Sequence, residues 1–208
     1  MASSVIHMTI AHKINEELKK DKYKILIGSI APDISKLIGR TKEESHFLDD
    51  VKNDIPNMER FLKKYQKYLD DDFVLGYYIH LYTDYLWFKY FIPEIKENDF
   101  IKKLDQTVVK VTPKTISKYI YNDYTNLNEQ LIDKYNLELD IFYNAIPPIA
   151  NIIKEIPMDK LNIIVDKAGV IISNSRINKE YVFNLENIDK FIETSTQLIL
   201  AKINEIIK

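Results

Sequence analysis

Cysteine is absent from this chain of 208 residues, and glycine and proline are scarce, with four and seven residues respectively. The absence of cysteine excludes disulfides and thiolate metal sites. Because few residues break helices and the apolar residues recur at intervals of three and four, the sequence predicts an all-α protein. Its length predicts one domain that spans residues 1–208.

Long apolar runs and an excess of charge of one sign are also lacking. No stretch approaches the ~18 apolar residues of a membrane span. The first residues, MASSVIHMTIAHK, lack the basic and apolar segments of a signal peptide, so we expect a cytoplasmic protein. The net charge of -2 gives no electrostatic reason to expect duplex nucleic acid as a partner.

Apolar periodicity, capping residues and prolines predict where the helices begin and end. Residues 158–173 are β-branched and fit either a strand or a buried helix. The remaining helices are predicted from Ser3 or Ser4 to about Leu18, through YKILIGSIAPDI up to Pro32, from about Asn57, from the acidic residues 70–72 to about Phe91, and over 94–109, 113–135, 138–154 and 186–207.

The stretch GYYIHLYTDYLW at 76–87 is apolar and aromatic on nearly every side of a helix, yet it contains His80 and Asp84. A spacing of four residues places these two side chains on one face, one turn apart. Burying an imidazole and a carboxylate is costly unless each finds a partner. The pair therefore indicates either mutual hydrogen bonding or a shared ligand.

Three more polar residues accompany apolar sequence: His7 on the inner face of the first helix, Asp33 after Pro32, and His46 in ESHFLDD. Individually they fit ordinary roles, as a hydrogen-bonded core histidine, a helix cap and a solvated side chain. Together with His80 and Asp84 they offer imidazoles and carboxylates suited to zinc or another divalent transition metal. The sequence contains no GxSxG motif, no cysteine nucleophile and no glycine-rich phosphate loop.

The order of IHMTIAHK, IGSIAPD, SHF and GYYIHLYTDYLW resembles the zinc-dependent phospholipase C superfamily, which includes the fungal single-strand-specific nucleases. The resemblance covers about residues 1–92. It implies an all-α fold with a metal centre between helices, and hydrolysis of phosphoester bonds by a metal-activated water. A small phosphoester or a phospholipid head group would be the substrate, and one or two Zn²⁺ ions the cofactor.

Carried over by position, the resemblance assigns Asp33, His46, His80 and Asp84 to the principal zinc site. Asp84 would bridge to a second metal, which His7 and a backbone group near the amino terminus would bind. Asp33 or Asp84 would accept the proton of the attacking water. No histidine follows His80, so the later histidines of the family's three-metal centre are missing, and a second site would need His7, Asp84 and a carboxylate such as Asp123. The alternatives are a non-catalytic helical module with a structural or vestigial metal, and a metal-free protein with buried hydrogen-bonded pairs.

Overall fold

The computed structural model describes residues 1–50 and 54–207, and helices dominate it. The apolar side chains of these helices form one continuous buried cluster that runs from Ala2 to Ile203. The elements in chain order are α1 (Ser4–Leu18), α2 (Lys22–Ile30), α3 (Ile34–Leu37), α4 (Met58–Tyr65), α5 (Asp72–Leu86), α6 (Ile92–Ile95), β1 (Lys96–Glu97), β2 (Phe100–Lys102), β3 (Val108–Lys110), α7 (Pro113–Lys134), α8 (Leu161–Ser173) and α9 (Leu185–Ile206). Short 3₁₀ turns occupy Ala31–Asp33, Gln66–Tyr68, Asp140–Phe142 and Met158–Lys160, and a π-helical turn spans Trp87–Phe91.

The predicted helix starts near Ser3 and in the acidic segment 70–72 are confirmed by their caps. The Ser3 side chain accepts a hydrogen bond from the backbone N–H of Ile6. The Asp71 carboxylate accepts from the N–H groups of Phe73 and Val74. These side chains satisfy backbone donors that lack partners inside the helix, and the Asp71 charge also favours the positive end of α5.

Two glycines allow α2 and α5 to pack backbone against backbone. A Cβ built on Gly28 would lie well inside van der Waals distance of the Phe73 carbonyl oxygen and 2.9 Å from the Tyr77 nitrogen. A Cβ on Gly76 would collide with the carbonyl of Ile25 in the same way. Only glycine permits this approach, which places the α2 backbone beside the polar face of α5.

Gly28→Ala is therefore expected to destabilise the protein by roughly 3 kcal/mol, at the upper end of overpacking effects, because backbone atoms cannot move aside as a flexible side chain can. Urea unfolding monitored by circular dichroism measures the change. Gly169→Ala is the matched control, since its new Cβ meets only the Phe142 ring at 3.4 Å. Equal urea midpoints for the two variants would contradict the close packing of α2 on α5.

The predicted helix over 94–109 is wrong, because this segment forms an antiparallel three-stranded sheet in the order β1-β2-β3. Two turns interrupt the helical path: Asn98 and Gln106 adopt positive φ values of 51° and 66°. In the second turn the Asp105 side chain accepts hydrogen bonds from the backbone N–H and hydroxyl of Thr107. Asparagine and aspartate favour such turns over helix, and this signal outweighs the apolar spacing.

The predicted helix over 138–154 is also wrong. After the turn at Asp140–Phe142 the chain is irregular through Pro147 and Pro148, which lack N–H donors and disfavour helix in the preceding residue. The ambiguous segment 158–173 contains helix α8, whose buried residues Leu161, Ile164, Val165 and Ala168 follow helical spacing. Within 1–50 and 54–207, each helix is too short or too polar to cross a bilayer.

Candidate metal centre

The five polar residues singled out in the sequence come together where α1, α2 and α5 meet. His7 lies on α1, Asp33 ends the 3₁₀ turn after α2, and His80 and Asp84 project from α5. His46 belongs to the loop before α4. Four of the side chains are fully buried or nearly so, and Asp33 is 12 % exposed. The predicted convergence of these residues is confirmed.

Four side-chain atoms form a compact donor set at this point. His46 Nε2 lies 3.4 Å from Asp33 Oδ1, 3.8 Å from Asp84 Oδ2 and 3.3 Å from His80 Nε2. His80 Nε2 lies 3.8 Å from Asp84 Oδ2. The separations of 3.3 and 3.4 Å match the ligand-to-ligand spacing of a zinc site, the two of 3.8 Å are slightly longer, and all four exceed the usual length of a hydrogen bond. Zinc bonds of ~2.0–2.2 Å in a tetrahedron place neighbouring ligand atoms ~3.3–3.6 Å apart. Nitrogen–oxygen hydrogen bonds are shorter, at ~2.7–3.2 Å.

Several polar atoms of the cluster are buried without a hydrogen-bond partner among the described residues. They are both ring nitrogens of His7, Asp33 Oδ1 and Asp84 Oδ2. An unsatisfied buried polar atom costs ~1–3 kcal/mol, and more where the group is charged. A divalent cation within the cluster would satisfy these atoms and neutralise the carboxylates, so the residues fit a metal ion.

The outer nitrogens of two histidines are fixed by neighbours that leave the inner nitrogens free. His80 Nδ1 lies 2.7 Å from the Ser29 carbonyl oxygen and donates to it. The lone pair of His80 Nε2 therefore faces the cluster. His46 Nδ1 lies 3.0 Å from Ser45 Oγ, and the Ser45 carbonyl accepts a hydrogen bond of 2.5 Å from the Tyr77 hydroxyl. Such partners orient metal-binding histidines and set their tautomer.

The loop that carries His46 is anchored by the next residue. Phe47 has φ of 54°, in the left-handed region that a bulky side chain rarely adopts. Its ring is buried against Phe61 and Tyr65, with centroid separations of 5.2 and 6.1 Å. The surrounding packing thus holds a strained backbone at the residue beside the candidate ligand, a pattern common at functional sites.

The electrostatics of the cluster keep Asp33, Asp84 and His80 in the protonation states that metal binding requires. Burial would raise the pKa of Asp33 and of Asp84, but the neighbouring imidazoles outweigh burial and hold both pKa values below their usual range. Burial, reinforced by the charge of His7, lowers the pKa of His80 from 6.5 to about 3. At neutral pH the carboxylates are ionised and the His80 ring is neutral.

Asp84 presents a different oxygen to each side of the cluster. Oδ2 faces His46 and His80, whereas Oδ1 lies 3.4 Å from His7 Nε2 and accepts a 3.0 Å hydrogen bond from the Ala2 backbone N–H. The His7 ring stacks on the His80 ring with centroids 3.9 Å apart. His7, His80 and Asp84 form one group whose ligand atoms lie within 4.8 Å of each other, and Asp33, His46 and His80 form another.

No protein-family model, no curated protein and no solved structure matched the chain in three comparisons. The chemistry of the site therefore has to be argued from its own residues.

Asp123 does not belong to this centre, which corrects the expectation that it completes a second site. Its carboxylate accepts hydrogen bonds from the backbone N–H groups of Tyr181, Val182 and Phe183, at 2.7–3.3 Å. It therefore holds the segment before α9 against α7. Among the described residues, His7 and Asp84 Oδ1 remain as side-chain donors on that side, too few for a second closed site.

A cavity of about 880 Å³ adjoins the centre. Asp33 forms part of its wall, together with residues 1–4. Because the other ligand candidates are almost completely buried, Asp33 is the one that faces this space. The cavity extends between α3, α7 and α8, and Asp33 is the residue at which it meets the cluster.

Sequence reasoning missed the residues that support the ligands. Ser29 and Ser45 lie within the quoted stretches IGSIAPD and SHF, but no spacing rule assigns them a role, and Ala2 acts through its backbone. The one sequence feature that could have pointed to these residues is the pair Gly28 and Gly76, which lie in two different apolar helices. Paired glycines on facing helices indicate a close contact, and here that contact brings the Ser29 carbonyl to His80.

Proposed function

We propose that this protein is a zinc-dependent hydrolase of phosphoester bonds, with the fold and principal metal site of the zinc-dependent phospholipase C superfamily that its motifs resemble. The observation that carries the proposal is two groups of ligand atoms that share His80, namely Asp33 with His46 and His80 and His7 with His80 and Asp84, with Asp33 on the wall of a large cavity. A metal ion that only stabilises the fold does not require such a cavity, whereas a catalytic metal ion must be accessible to substrate.

Within this proposal each side chain has a defined task. His46 and His80 would supply ring nitrogens, and Asp84 would supply one oxygen to the metal and keep the other for His7 and Ala2. A zinc ion held there would polarise a phosphoryl oxygen and lower the pKa of a water molecule. Asp33 is the better placed of the two carboxylates to accept a proton, because only Asp33 borders the cavity, whereas Asp84 is fully buried and its Oδ1 accepts a hydrogen bond from Ala2.

A structural metal site is the second candidate, and one observation favours it. Four protein donors at these distances can complete a tetrahedral zinc site, which is the arrangement of structural centres. Catalytic zinc keeps a position for water, so hydrolysis requires either a fifth ligand or release of one protein ligand. Asp33, with its partial exposure, is the ligand best able to be released.

Metal content and turnover, measured on the same preparation, test the proposal. Protein purified without chelator or affinity metal is expected to contain one zinc ion per chain by elemental analysis. It is expected to hydrolyse members of a phosphomonoester and phosphodiester panel, to lose this activity in chelator and to regain it with zinc. Bound zinc with no turnover of any ester would refute the hydrolase and support the structural metal. Absence of bound metal after incubation with zinc would refute both.

A further inference from the structure

Asn128 is a buried polar residue for which the fold supplies no hydrogen-bond donor. It lies on α7, borders the cavity and is 1 % exposed, and its Oδ1 has no hydrogen-bond partner among the described residues. A buried amide oxygen without a partner destabilises the folded protein, and native structures rarely leave one in that state. A ligand in the cavity can supply the missing donor.

Asn126, two residues earlier on the same helix, shows how an asparagine with a purely structural role is paired in this protein. It is 4 % exposed and lies outside the cavity wall. Its Nδ2 donates to the Glu180 carboxylate at 3.1 Å, and its Oδ1 accepts from the backbone N–H of Asn178 at 2.7 Å. Asn126 thus fastens α7 to the segment before α9, whereas the Oδ1 of Asn128 holds nothing together.

Other polar side chains of the wall leave oxygen lone pairs, rather than donors, for a ligand. Four hydroxyl or amide groups donate to backbone carbonyl oxygens at 2.7–2.8 Å, and they belong to Ser117, Tyr124, Thr125 and Asn174. Each side-chain oxygen still has the capacity to accept. Together with Asn128 Oδ1, these groups favour a ligand that donates several hydrogen bonds.

The charges of the wall favour neutral donors over ammonium groups. Of the two wall carboxylates, Asp54 pairs with Lys42, and Asp33 belongs to the metal cluster. Three exposed lysines of the wall have no carboxylate partner among residues 1–50 and 54–207, namely Lys36, Lys96 and Lys167. A cationic ligand would meet their repulsion, whereas hydroxyl groups would not.

Apolar surface lies among these polar groups. The Tyr121 side chain is 62 % exposed, and Phe88, Ile120 and Ile171 are half-buried residues of the same wall. A wall that mixes aromatic and aliphatic surface with acceptors fits a ring whose C–H faces are apolar and whose edge carries hydroxyls. Sugars and cyclic polyols have this character.

We infer that the cavity binds a polyhydroxylated ring, a sugar or a cyclic polyol, and that Asn128 Oδ1 accepts a hydrogen bond from one of its hydroxyls. The inference rests on the proposed function only in making this ring the alcohol part of the phosphoester substrate. Asn128 is then a specificity-determining residue, because an ester of a plain alkyl alcohol would leave its oxygen unpaired. The cavity volume lies within the roughly 300–1,000 Å³ that is usual for small-molecule sites.

Paired phosphonates measure the preference for hydroxyls without turnover, because a phosphonate has no ester bond to hydrolyse. We would titrate zinc-loaded protein calorimetrically with cyclohexylphosphonate and with its fully hydroxylated analogue. The hydroxylated ring is expected to bind at least ~10-fold more tightly, since a site built to accept hydroxyl protons discriminates against a ligand that lacks them. A merely apolar cavity would give the opposite order.

Asn128→Leu removes the unpaired amide at nearly constant size. We expect the melting temperature of the ligand-free protein to rise by at least ~2 °C, because an unsatisfied buried group is lost. The preference for the hydroxylated ring should fall at least ~10-fold, and Asn128→Ala should show the same loss of preference. Asn126→Leu is the matched control: it should lower the melting temperature, because the Asn178 N–H loses its acceptor, and keep the preference.

Equal affinity for the two rings, or tighter binding of the plain ring, would overturn the inference. Asn128→Leu that lost stability and kept the preference would also overturn it, because a trapped water would then be the partner of Oδ1. A nucleoside phosphonate that bound as tightly as the hydroxylated ring would indicate a nucleobase site instead.

Hydrolysis assays separate this inference from the proposed function. If esters of plain alcohols were hydrolysed as fast as esters of polyols, the hydrolase would stand and the specificity would be refuted. If the hydroxylated ring bound selectively and no ester were hydrolysed, the binding site would stand and the hydrolase would be refuted.

Discussion

Removal of zinc is expected to lower the melting temperature of this protein by roughly 10 °C. A ligand present at 1,000 times its Kd stabilises the folded state by ~4 kcal/mol. In a chain of this size each kcal/mol shifts the midpoint by ~2–4 °C. The physical cause is the donor set itself: without a cation, two ionised carboxylates and several ring nitrogens are buried at distances too long for good hydrogen bonds.

Differential scanning calorimetry with and without a strong chelator, followed by zinc addition, measures this shift. His80→Ala is expected to abolish the rise in melting temperature that zinc produces. It should also lower the free energy of unfolding of the metal-free protein by ~1–3 kcal/mol, because the Ser29 carbonyl loses its hydrogen-bond donor. His12→Ala is the matched control, since His12 is the one histidine outside the cluster. If the chelator left the wild-type melting curve unchanged, the buried pairs would be ordinary hydrogen-bonded pairs and the metal centre would be refuted.

The sequence was sufficient to single out His80 and Asp84 because they form a conspicuous local anomaly, whereas His46, in a polar segment, entered the site only as part of the whole set and through the family resemblance. His80 and Asp84 at a spacing of four in an otherwise aromatic helix cannot be buried cheaply, and Pro32 marks where a helix must end and expose Asp33. Long helices with clear apolar stripes, such as α7 and α9, were predicted to within a residue or two. Local chemistry determines these features.

The segments whose secondary structure was predicted wrongly contain sequence signals that favour different structures. In 94–109 the apolar spacing favours helix, but turn-forming Asn98 and Asp105 divide the segment into short strands. Asp123 was misassigned because its partners are backbone N–H groups of residues ~60 positions away, which no spacing rule connects. The cavity was not predicted either, because it depends on how α3, α7 and α8 diverge, which tertiary packing determines.

Loss of the Asp33 charge should have the largest effect on catalysis. Asp33→Asn keeps the shape of the side chain but removes the negative charge that binds the metal and the basic oxygen that accepts a proton. We expect kcat/KM to fall by at least ~10³-fold, since a metal contributes several kcal/mol to transition-state stabilisation and each 1.36 kcal/mol is tenfold in rate. Asp166→Asn, an exposed aspartate of α8 outside the cavity wall, is the matched control and is expected to keep the wild-type rate.

The two tasks of Asp33 separate when zinc is varied. Weakened metal binding alone predicts that excess zinc restores the wild-type rate of Asp33→Asn once elemental analysis shows one ion per chain. A role in proton transfer predicts a remaining deficit of ~10²–10⁴-fold at full zinc occupancy. We expect the remaining deficit, because Asp33 is the one ligand candidate that borders the cavity and because Asp84 is fully buried. If excess zinc restored the wild-type rate completely, Asp33 would act only as a metal ligand, and another residue of the cavity wall would have to accept the proton.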